Sequence, residues 1–396
     1  MKLTGQFTAQ EKKAIFSLGA VIASRMLGLS MIIPVFSLYA SGLPGSSPLL
    51  AGLAFGAYGL TQAVFQIPFG YFSDRFGRRP VVAAGLALFG AGSVICAVTS
   101  NIYILIAGRF LQGGGAIASA CFAWIADLTS PSRRTIAMAV MGIAVGGGIT
   151  GGMIAGPMLG AAAGVPFLFW LAAGLSLFGL LITLLAVNEP PEDPSRPRDF
   201  SLNPLEAMRL AATGDLMRLN VTGLIVNVCM ICTFYVVPLR INHRFPMNEL
   251  WKIYLPLAVA AGVAMMLSSR HADQGAGRKV ISGAMLILAA AFVTLTLAGD
   301  VRATLPGFAL FFMGFSVLEA SLPAAVSKLA DPAHKGTIIG VFNLFQFSGT
   351  FIGGLLAGVL APVSEPALFA LMTVIALAAA YLALGVRGLS HIPASA

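Results

Sequence analysis

A short charged segment, Gly70-Tyr-Phe-Ser-Asp74-Arg75-Phe-Gly77-Arg78-Arg79-Pro80, separates two long apolar runs and decides how this sequence is interpreted. It places an acid, several arginines and a helix-breaking glycine in one tight turn between antiparallel helices. Short arginine-rich loops between two membrane spans mark the cytoplasmic side of a bilayer. The segment therefore predicts a membrane protein, with a simple positively charged anchor as the alternative interpretation of the loop.

The composition excludes an ordinary soluble domain. Apolar residues make up 58% of the chain and charged residues 10%, and the mean hydropathy is +0.89, whereas a soluble domain carries about 25% charge. The net charge of +9 comes from Lys and Arg scattered over separate loops, so we expect no nucleic-acid partner. Cys229 and Cys232 have C-x-x-C spacing without a second pair or a nearby His, so we expect packing residues and no metal site.

Twelve apolar runs are long enough to cross the bilayer, which takes about 20 helical residues. Their length and continuity fit helices and not the strands of a closed barrel. We number them helices 1 to 12: 14–39, 49–72, 80–100, 102–126, 135–160, 165–187, 217–240, 248–270, 278–298, 302–328, 336–361 and 365–387. The prediction is an all-α membrane protein with six-helix bundles at 1–187 and 217–396 and a cytoplasmic linker at 188–216.

The basic residues predict the orientation of these helices. They crowd the N-terminus, the loops after even-numbered helices and the C-terminal end, while the other side holds only Arg240, Arg244, Lys252 and Arg302. Both termini are therefore predicted to be cytoplasmic, in a bacterial inner membrane. Helix 1 is too long for a signal-peptide core and no small-residue cleavage site follows it, so we expect it to be retained.

The segment after helix 2 repeats after helix 8 as Ala272-Asp273-Gln-Gly-Ala-Gly277-Arg278-Lys279, with one extra residue and without the Arg after the Asp. The spacing G-x-x-x-D-R-x-G-R-R resembles the signature loop of the major facilitator superfamily. The resemblance implies two six-helix halves related by an axis along the membrane normal, with a small-molecule substrate site between them near the midplane. We expect a monomer.

The same resemblance assigns a conformational switch to this loop and to the end of helix 4. A charge cluster there can latch helix ends in one transport state and break in the other, so we expect Arg78 and Asp127 to pair when the protein is outward-open and to separate when it is inward-open. Asp74 can also face the positive end of helix 11 near Gly336. The alternative for Asp127 is a solvated loop acid. The switch residues are Gly70, Asp74, Arg75, Gly77, Arg78, Arg79 and Asp127.

Helix 4 carries Arg109-Phe-Leu-Gln112-Gly113-Gly-Gly115-Ala116, which resembles the superfamily motif R-x-x-Q-G-x-G-A that is linked to proton coupling. An arginine inside an apolar helix costs about 2.5–3.5 kcal/mol on insertion scales, so Arg109 should face a partner or a wet cavity. The alternative is that it lies near the extracellular end and extends outward to water. The glycines by themselves indicate only close helix packing.

Helix 5 carries Gly152-Met-Ile-Ala-Gly156-Pro157-Met-Leu-Gly160, which resembles a motif found in antiporters of the superfamily and largely missing from its symporters. Proline bends a helix, and glycine at every fourth position lets a neighbour approach. We expect a bend and a tight seal on the outer side. A generic kinked helix is the alternative.

Glu319 is the one acid deep in any predicted span. Burial disfavours the charged form of a carboxyl group, so such a residue can be neutral in one state and charged in another. Proton coupling requires this property, and we predict that Glu319, Arg109 and Asp127 carry it. An acid held permanently paired or protonated for structural reasons is the alternative for Glu319.

Other polar residues within the spans are candidates for a substrate cavity, although each is as compatible with a contact between helices. Helix 1 contains Arg25 and lacks the acid that many drug transporters of the superfamily carry in this helix, which weakens a prediction of cationic substrates. The remaining candidates are Tyr58, Gln62, Gln66, Asn227, Asn343 and Gln346.

Three further stretches, 58–70, 251–255 and 335–337, resemble YajR-type transporters of the twelve-span drug:proton antiporter branch. Transporters of that type carry a soluble domain after helix 12, which we expect to be absent because the sequence ends nine residues after Arg387. The resemblance implies export of a small amphipathic compound in exchange for protons, powered by the proton gradient and without a cofactor. A single buried carboxylate is a poor sodium site, so we expect proton coupling and not sodium coupling. Alternatives are a metabolite, sugar or siderophore transporter and a non-transporting sensor or assembly factor; an enzyme is not expected.

Overall fold

The structure is a computed structural model that describes residues 7–130, 133–189, 209, 211–212, 214–331 and 334–390. Most of the linker predicted at 188–216 lies outside the described residues. The described part is helical and contains twelve helices long and apolar enough to cross a membrane. They are α1 (Ala9–Ser41), α2 (Pro48–Phe76), α3 (Arg78–Val98), α4 (Ile102–Leu128), α5 (Arg134–Ala163), α6 (Val165–Leu185), α7 (Gly214–Asn242), α8 (Trp251–His271), α9 (Gly277–Leu297), α10 (Val301–Leu329), α11 (Lys335–Leu360) and α12 (Glu365–Leu384).

The twelve predicted spans are confirmed, with ends that differ by a few residues. The largest shift is in α1, which begins at Ala9 and not at residue 14 because Thr8 and Glu11 form a capping box. The amide of Thr8 donates to Glu11 Oε2 at 2.8 Å, and the amide of Glu11 donates to Thr8 Oγ1 at 3.2 Å. α7 begins at Gly214, inside the range assigned to the linker.

Two helices of the N-terminal half are interrupted within the span. α1 consists of Ala9–Ser30 and Ile33–Ser41, and Pro34 lies in the first turn of the second piece. α4 consists of Ile102–Gly113 and Ala118–Leu128. The glycine-rich stretch at the second break packs closely on its neighbours, since a Cβ at Gly115 would lie 3.0 Å from the Phe89 side chain of α3. The close packing predicted from these glycines is confirmed.

The second copy of the charged turn has its own conformation. The stretch Ala272–Ala276, between α8 and α9, forms a π-helical turn. A π turn accommodates one more residue than an α turn, which fits the extra residue noted in the sequence. The side chain of Asp273 lies outside the described residues.

The two halves meet mainly through α2 and α11 at one end of the bundle. We call the end where α2 passes into α3 the arginine-rich end, and the end where α1 passes into α2 the opposite end. Near the opposite end, a Cβ at Gly59 would lie 2.7 Å from the carbonyl oxygen of Phe347, and a Cβ at Gly52 would lie 2.8 Å from Gly358 Cα. Tyr235 of α7 also donates to the carbonyl of Pro48 at 3.0 Å.

Towards the arginine-rich end the packing between the halves becomes looser. The Cβ positions of Gly70 on α2 and Gly336 on α11 have no neighbouring atom within 4 Å. The same holds for Gly142 and Gly147 on α5 and for Gly262 on α8. In this conformation the halves are therefore closed against each other at the opposite end.

Candidate functional site

The charge cluster at the arginine-rich end is centred on Arg78. Its Nε lies 3.0 Å from Asp127 Oδ2 at the end of α4, and its Nη1 contacts Asp74 and donates to Ser73 Oγ at 3.0 Å. The Arg78 side chain is 17% exposed and that of Asp127 is 20% exposed. Asp127 is therefore part of the cluster and not a solvated loop acid.

The predicted dependence of the Arg78–Asp127 pair on the transport state stays a prediction. We expect the two side chains to pair in the outward-open state and to separate in the inward-open one, and in the conformation described here they are paired. Both residues belong to the N-terminal half, so movement of one half relative to the other need not change their distance. Together with Asp74, the pair joins α2, α3 and α4 within that half.

The remaining residues of the predicted switch hold different contacts. Gly77 has φ of +95°, a conformation that side chains rarely adopt, and this sharp turn separates α2 from α3. Arg79 Nε donates to the carbonyl of Thr183 at 3.2 Å and so ties α3 to α6. Arg75 donates to Tyr71 within α2. Gly70 has open space around its Cβ position, as noted above.

A charge exchange tests whether Arg78 and Asp127 act as a direct pair. We expect Arg78→Asp and Asp127→Arg each to lower transport, and the double variant to recover part of the loss, because groups in contact couple by about 0.5–3 kcal/mol. Recovery should be incomplete, since Asp74 would then repel the acid at position 78. Transport rates normalised to the amount of inserted protein measure this. Equal loss in the double and single variants would count against the pair.

Glu11 is a buried acid that the sequence analysis overlooked. It accepts from the amide of Ser130 at 3.2 Å and contacts Arg133, so it joins the start of α1 to the turn after α4. Glu11 lies in the first turn of α1, outside the predicted span 14–39, and does not change the prediction that Glu319 is the acid deep within a span. The signal was present as Thr-x-x-Glu immediately before the first apolar run.

Arg109 lies inside the N-terminal half and does not extend outward to water. It is 2% exposed, donates to Gln112 Oε1 at 2.8 Å and to the carbonyl of Ala54 at 3.4 Å, and lies over the rings of Phe36 and Tyr58. Gln112 in turn donates to Ser93 Oγ on α3 at 2.7 Å. Arg109 therefore faces partners, as one of the two predicted alternatives requires.

A second buried arginine, Arg25, lies near Arg109 and shares Tyr58 with it. Arg25 Nη2 donates to Gln62 Oε1 at 2.9 Å and to the Tyr58 hydroxyl at 3.4 Å, and the guanidinium lies 5.5 Å from the centre of the Phe89 ring. The three cavity candidates Arg25, Tyr58 and Gln62 are thus brought together by the contact of α1 with α2.

The other cavity candidates are distributed over both halves. Gln66 is 2% exposed, and neither polar atom of its side chain has a partner among the described residues. Asn227 of α7 donates to the carbonyl of Gly223 and accepts from Thr350 of α11 at 3.4 Å. Gln346 is buried with an unpartnered Nε2, while Asn343 is partly exposed. Their substrate contacts remain a prediction.

Glu319 lies in the middle of α10 on a face that other helices leave open. Gly307 and Gly314 mark the face of α10 that packs on α9, since Cβ atoms there would lie 3.2 Å and 3.0 Å from carbonyl oxygens of that helix. Glu319 comes five residues after Gly314, which turns it away from α9 by about 140°. Its side chain is exposed, and it makes no ion pair or hydrogen bond with the described residues. The acid is deep along the helix and yet not enclosed by side chains.

The helix 5 motif forms the contact between α5 and α1. A Cβ at Gly152 would lie 2.7 Å from the carbonyl of Leu27, and one at Gly156 would lie 2.9 Å from Met31 Cα, at the interruption of α1. Gly160, further along, faces Leu168 of α6 and Met247 before α8. Pro157 lies inside α5, which continues to Ala163. The glycines of the motif therefore permit close approach of backbones, as predicted.

Replacement of Gly156 tests whether this contact controls leak. We expect Gly156→Val to push α5 from α1, because a backbone neighbour cannot move aside as a flexible side chain would. The seal near the opposite end should weaken, and more protons should cross per substrate molecule moved. Parallel measurements of proton and substrate flux in proteoliposomes give this ratio. Gly174→Val on α6, whose Cβ position has no atom within 4 Å, is the control. An unchanged ratio in Gly156→Val would remove the role assigned to the motif.

Comparison with known proteins agrees with this architecture. The family model described as Major Facilitator Superfamily matches residues 18–354. The chain is 36% identical over 356 residues to the inner membrane transport protein YajR of Escherichia coli K12, covering 89% of this chain and 78% of that protein. It is 28% identical over 346 residues to the multidrug resistance protein MdtL of Escherichia coli O17:K52:H18, covering 81% and 84% of the two chains.

A solved structure with the same fold is the human organic anion transporter MFSD10 (TETRAN), with a TM-score of 0.73 and 20% identity, covering 95% of this chain and 100% of that one. Three observations agree. The family model matches most of the chain, the twelve helices form two halves, and a charged turn follows α2. This chain is a multi-pass membrane transporter that belongs to the major facilitator superfamily.

Proposed function

We propose that this transporter exports small amphipathic compounds in exchange for protons. The observation that carries the proposal is Glu319, an acid in the middle of an apolar helix whose side chain is exposed and has no partner among the described residues. Such a group can take up a proton in one state and release it in another, whereas a carboxylate held by an arginine would stay charged. The helix 5 motif supports exchange over symport, and the likeness to the multidrug resistance protein MdtL supports export of small compounds.

Alternating access supplies the mechanism for this exchange. The two halves are closed at the opposite end through the glycine contacts of α2 with α11, and these contacts must open to admit or release substrate there. The N-terminal half is tied together by Arg78 with Asp127 and by Glu11 with Arg133, so it can move as a unit. Protonation of Glu319 would bias which opening is populated.

The arrangement in the cell follows from the charge distribution. We propose a bacterial inner-membrane location with both termini in the cytoplasm, a monomeric transporter, and no requirement beyond the proton gradient. The basic residues of the arginine-rich end then face the cytoplasm, and the conformation described here is inward-facing.

The experiment is a measurement of proton movement in proteoliposomes loaded with a pH indicator and challenged with a panel of amphipathic compounds. An antiporter acidifies or alkalinises the lumen only when a transported compound is supplied, and a pH gradient drives that compound uphill. If the compounds equilibrate across the membrane without moving protons, the protein catalyses facilitated diffusion and not antiport. A response to no compound in the panel would contradict the proposed function.

A further inference from the structure

Arg25 is a buried arginine, and part of its guanidinium group has no hydrogen-bond partner among the described residues. It lies at the centre of the first span, Ala9–Ser41, and is 0% exposed. Only Nη2 is bonded, to Gln62 and Tyr58, while Nε and Nη1 have no partner among the described residues. A guanidinium carries five N–H donors and remains charged at all physiological pH values. Leaving a buried donor of a charged group unsatisfied is more costly than leaving a neutral one unsatisfied.

The positive charge of Arg25 also lacks a carboxylate in the part of the chain that the structure describes. Each acid of the N-terminal half there lies at the arginine-rich end, and three of them are held by other arginines. Among the same described residues, the neighbouring Arg109 has no acid partner either. The interior of this half therefore contains two guanidinium groups and no counter-charge among described residues. The acids concerned are Glu11, Asp74, Asp127 and Glu189.

The surroundings of Arg25 suit an anion with an apolar body. The ring of Phe89 lies 5.5 Å from the guanidinium, and the Tyr58 ring meets Phe347 of α11 edge to face, with centroids 6.4 Å apart. Tyr58 thus reaches from Arg25 to the boundary between the two halves. Sites for small molecules combine aromatic walls with a few polar groups that fix orientation.

We propose that Arg25, with Tyr58 and Gln62, binds a carboxylate group of the transported compound. The proposal rests on the proposed transport function and names its substrate class as small aromatic or aliphatic organic anions. The free donors of Arg25 pair with the carboxylate oxygens, and the substrate supplies the counter-charge that the N-terminal half lacks. Because Arg25 is enclosed here, the anion reaches it when Tyr58 and Phe347 separate as the halves move.

The test uses the purified full chain in detergent and matched sets of aromatic compounds that carry a carboxylate, a carboxamide or a methylammonium group on the same ring. Thermal unfolding and isothermal titration report binding. We expect carboxylates to raise the unfolding temperature of the wild type, with little effect from the amides and amines. Arg25→Gln should weaken carboxylate binding by about 10- to 100-fold, the usual loss for a hydrogen bond to a charged group. Arg25→Lys should keep part of it, and Arg270→Gln, which removes an exposed charge on α8, should keep all of it.

A second readout separates ligand binding from a structural role. Without ligand, we expect Arg25→Gln to unfold at the same or a higher temperature than the wild type, because it removes an unpaired buried charge. A lower unfolding temperature together with unchanged carboxylate affinity would assign Arg25 to structure and overturn the proposal. So would stabilisation by amides or amines in preference to carboxylates, or by none of the compounds.

The two proposals fail in different ways. Proton-coupled exchange of amines without carboxylate binding would leave the antiport function standing and remove the anion site. Arg25-dependent carboxylate binding without any proton movement in proteoliposomes would keep the anion site and remove proton antiport.

Discussion

Glu319→Gln should abolish accumulation of substrate against its gradient while leaving substrate exchange down its gradient intact. Glutamine keeps the size and much of the hydrogen-bonding capacity of the acid but fixes the site in a neutral form. Binding and exchange need no titrating group, whereas uphill movement requires a proton to be taken up on one side and released on the other. The pH dependence of substrate affinity should flatten as well, because linkage between proton and substrate is reciprocal.

The measurement compares gradient-driven uptake with counterflow in the same proteoliposomes. Glu249→Gln is the matched control, because this acid lies before α8 at the opposite end and pairs with Lys252 on the surface. If Glu319→Gln still concentrates substrate, the acid is structural. Coupling would then have to be sought at Asp127 or Arg109.

Gly52→Val should hold the halves apart at the opposite end. A side chain at Gly52 would overlap the backbone of Gly354 and Gly358 on α11, and no change of rotamer relieves a clash with backbone. Overpacking of this kind costs about 1–3 kcal/mol, which shifts a two-state equilibrium about 5- to 150-fold. Gly52 packs on α11 only when the opposite end is closed, so the substitution should destabilise the closed state of that end. The state that is open at the opposite end should then predominate, and transport should stop because the protein no longer alternates between the two states.

Spin labels on cysteines at Pro44 and Val363 report the distance across the opposite end by pulsed electron resonance. The native cysteines are buried and should not react. Distances should lengthen in Gly52→Val and remain as in the parent in Gly174→Val, since the Cβ position of Gly174 has no atom within 4 Å. A closed-state distance in Gly52→Val would show that the interface adapts, and would contradict the role given to these glycines.

The position of Arg109 illustrates why some features of the site could be predicted only as alternatives. Its cost inside an apolar helix indicated that it needed either partners or water, but sequence spacing does not say which. The tertiary structure decides between partners and water, because the packing of α2 against α4 places Ala54 and Tyr58 next to the guanidinium group. The separation of Arg78 from Asp127 in the inward-open state stays a prediction, since the motif identifies the residues of the cluster and not how their distance changes when the halves move.

The hydropathy pattern by itself determined the twelve helices, because about 20 apolar residues in water-free surroundings have no alternative to helical hydrogen bonding. The charge asymmetry predicted their orientation, and the repeated loop predicted the two halves. Only the tertiary structure decided that the first and fourth helices are interrupted and that Glu11 belongs to a contact with Arg133. It also decided that two nitrogens of Arg25 have no partner among the described residues. These features depend on distances between helices far apart in the chain, and a local pattern of residues does not encode such distances.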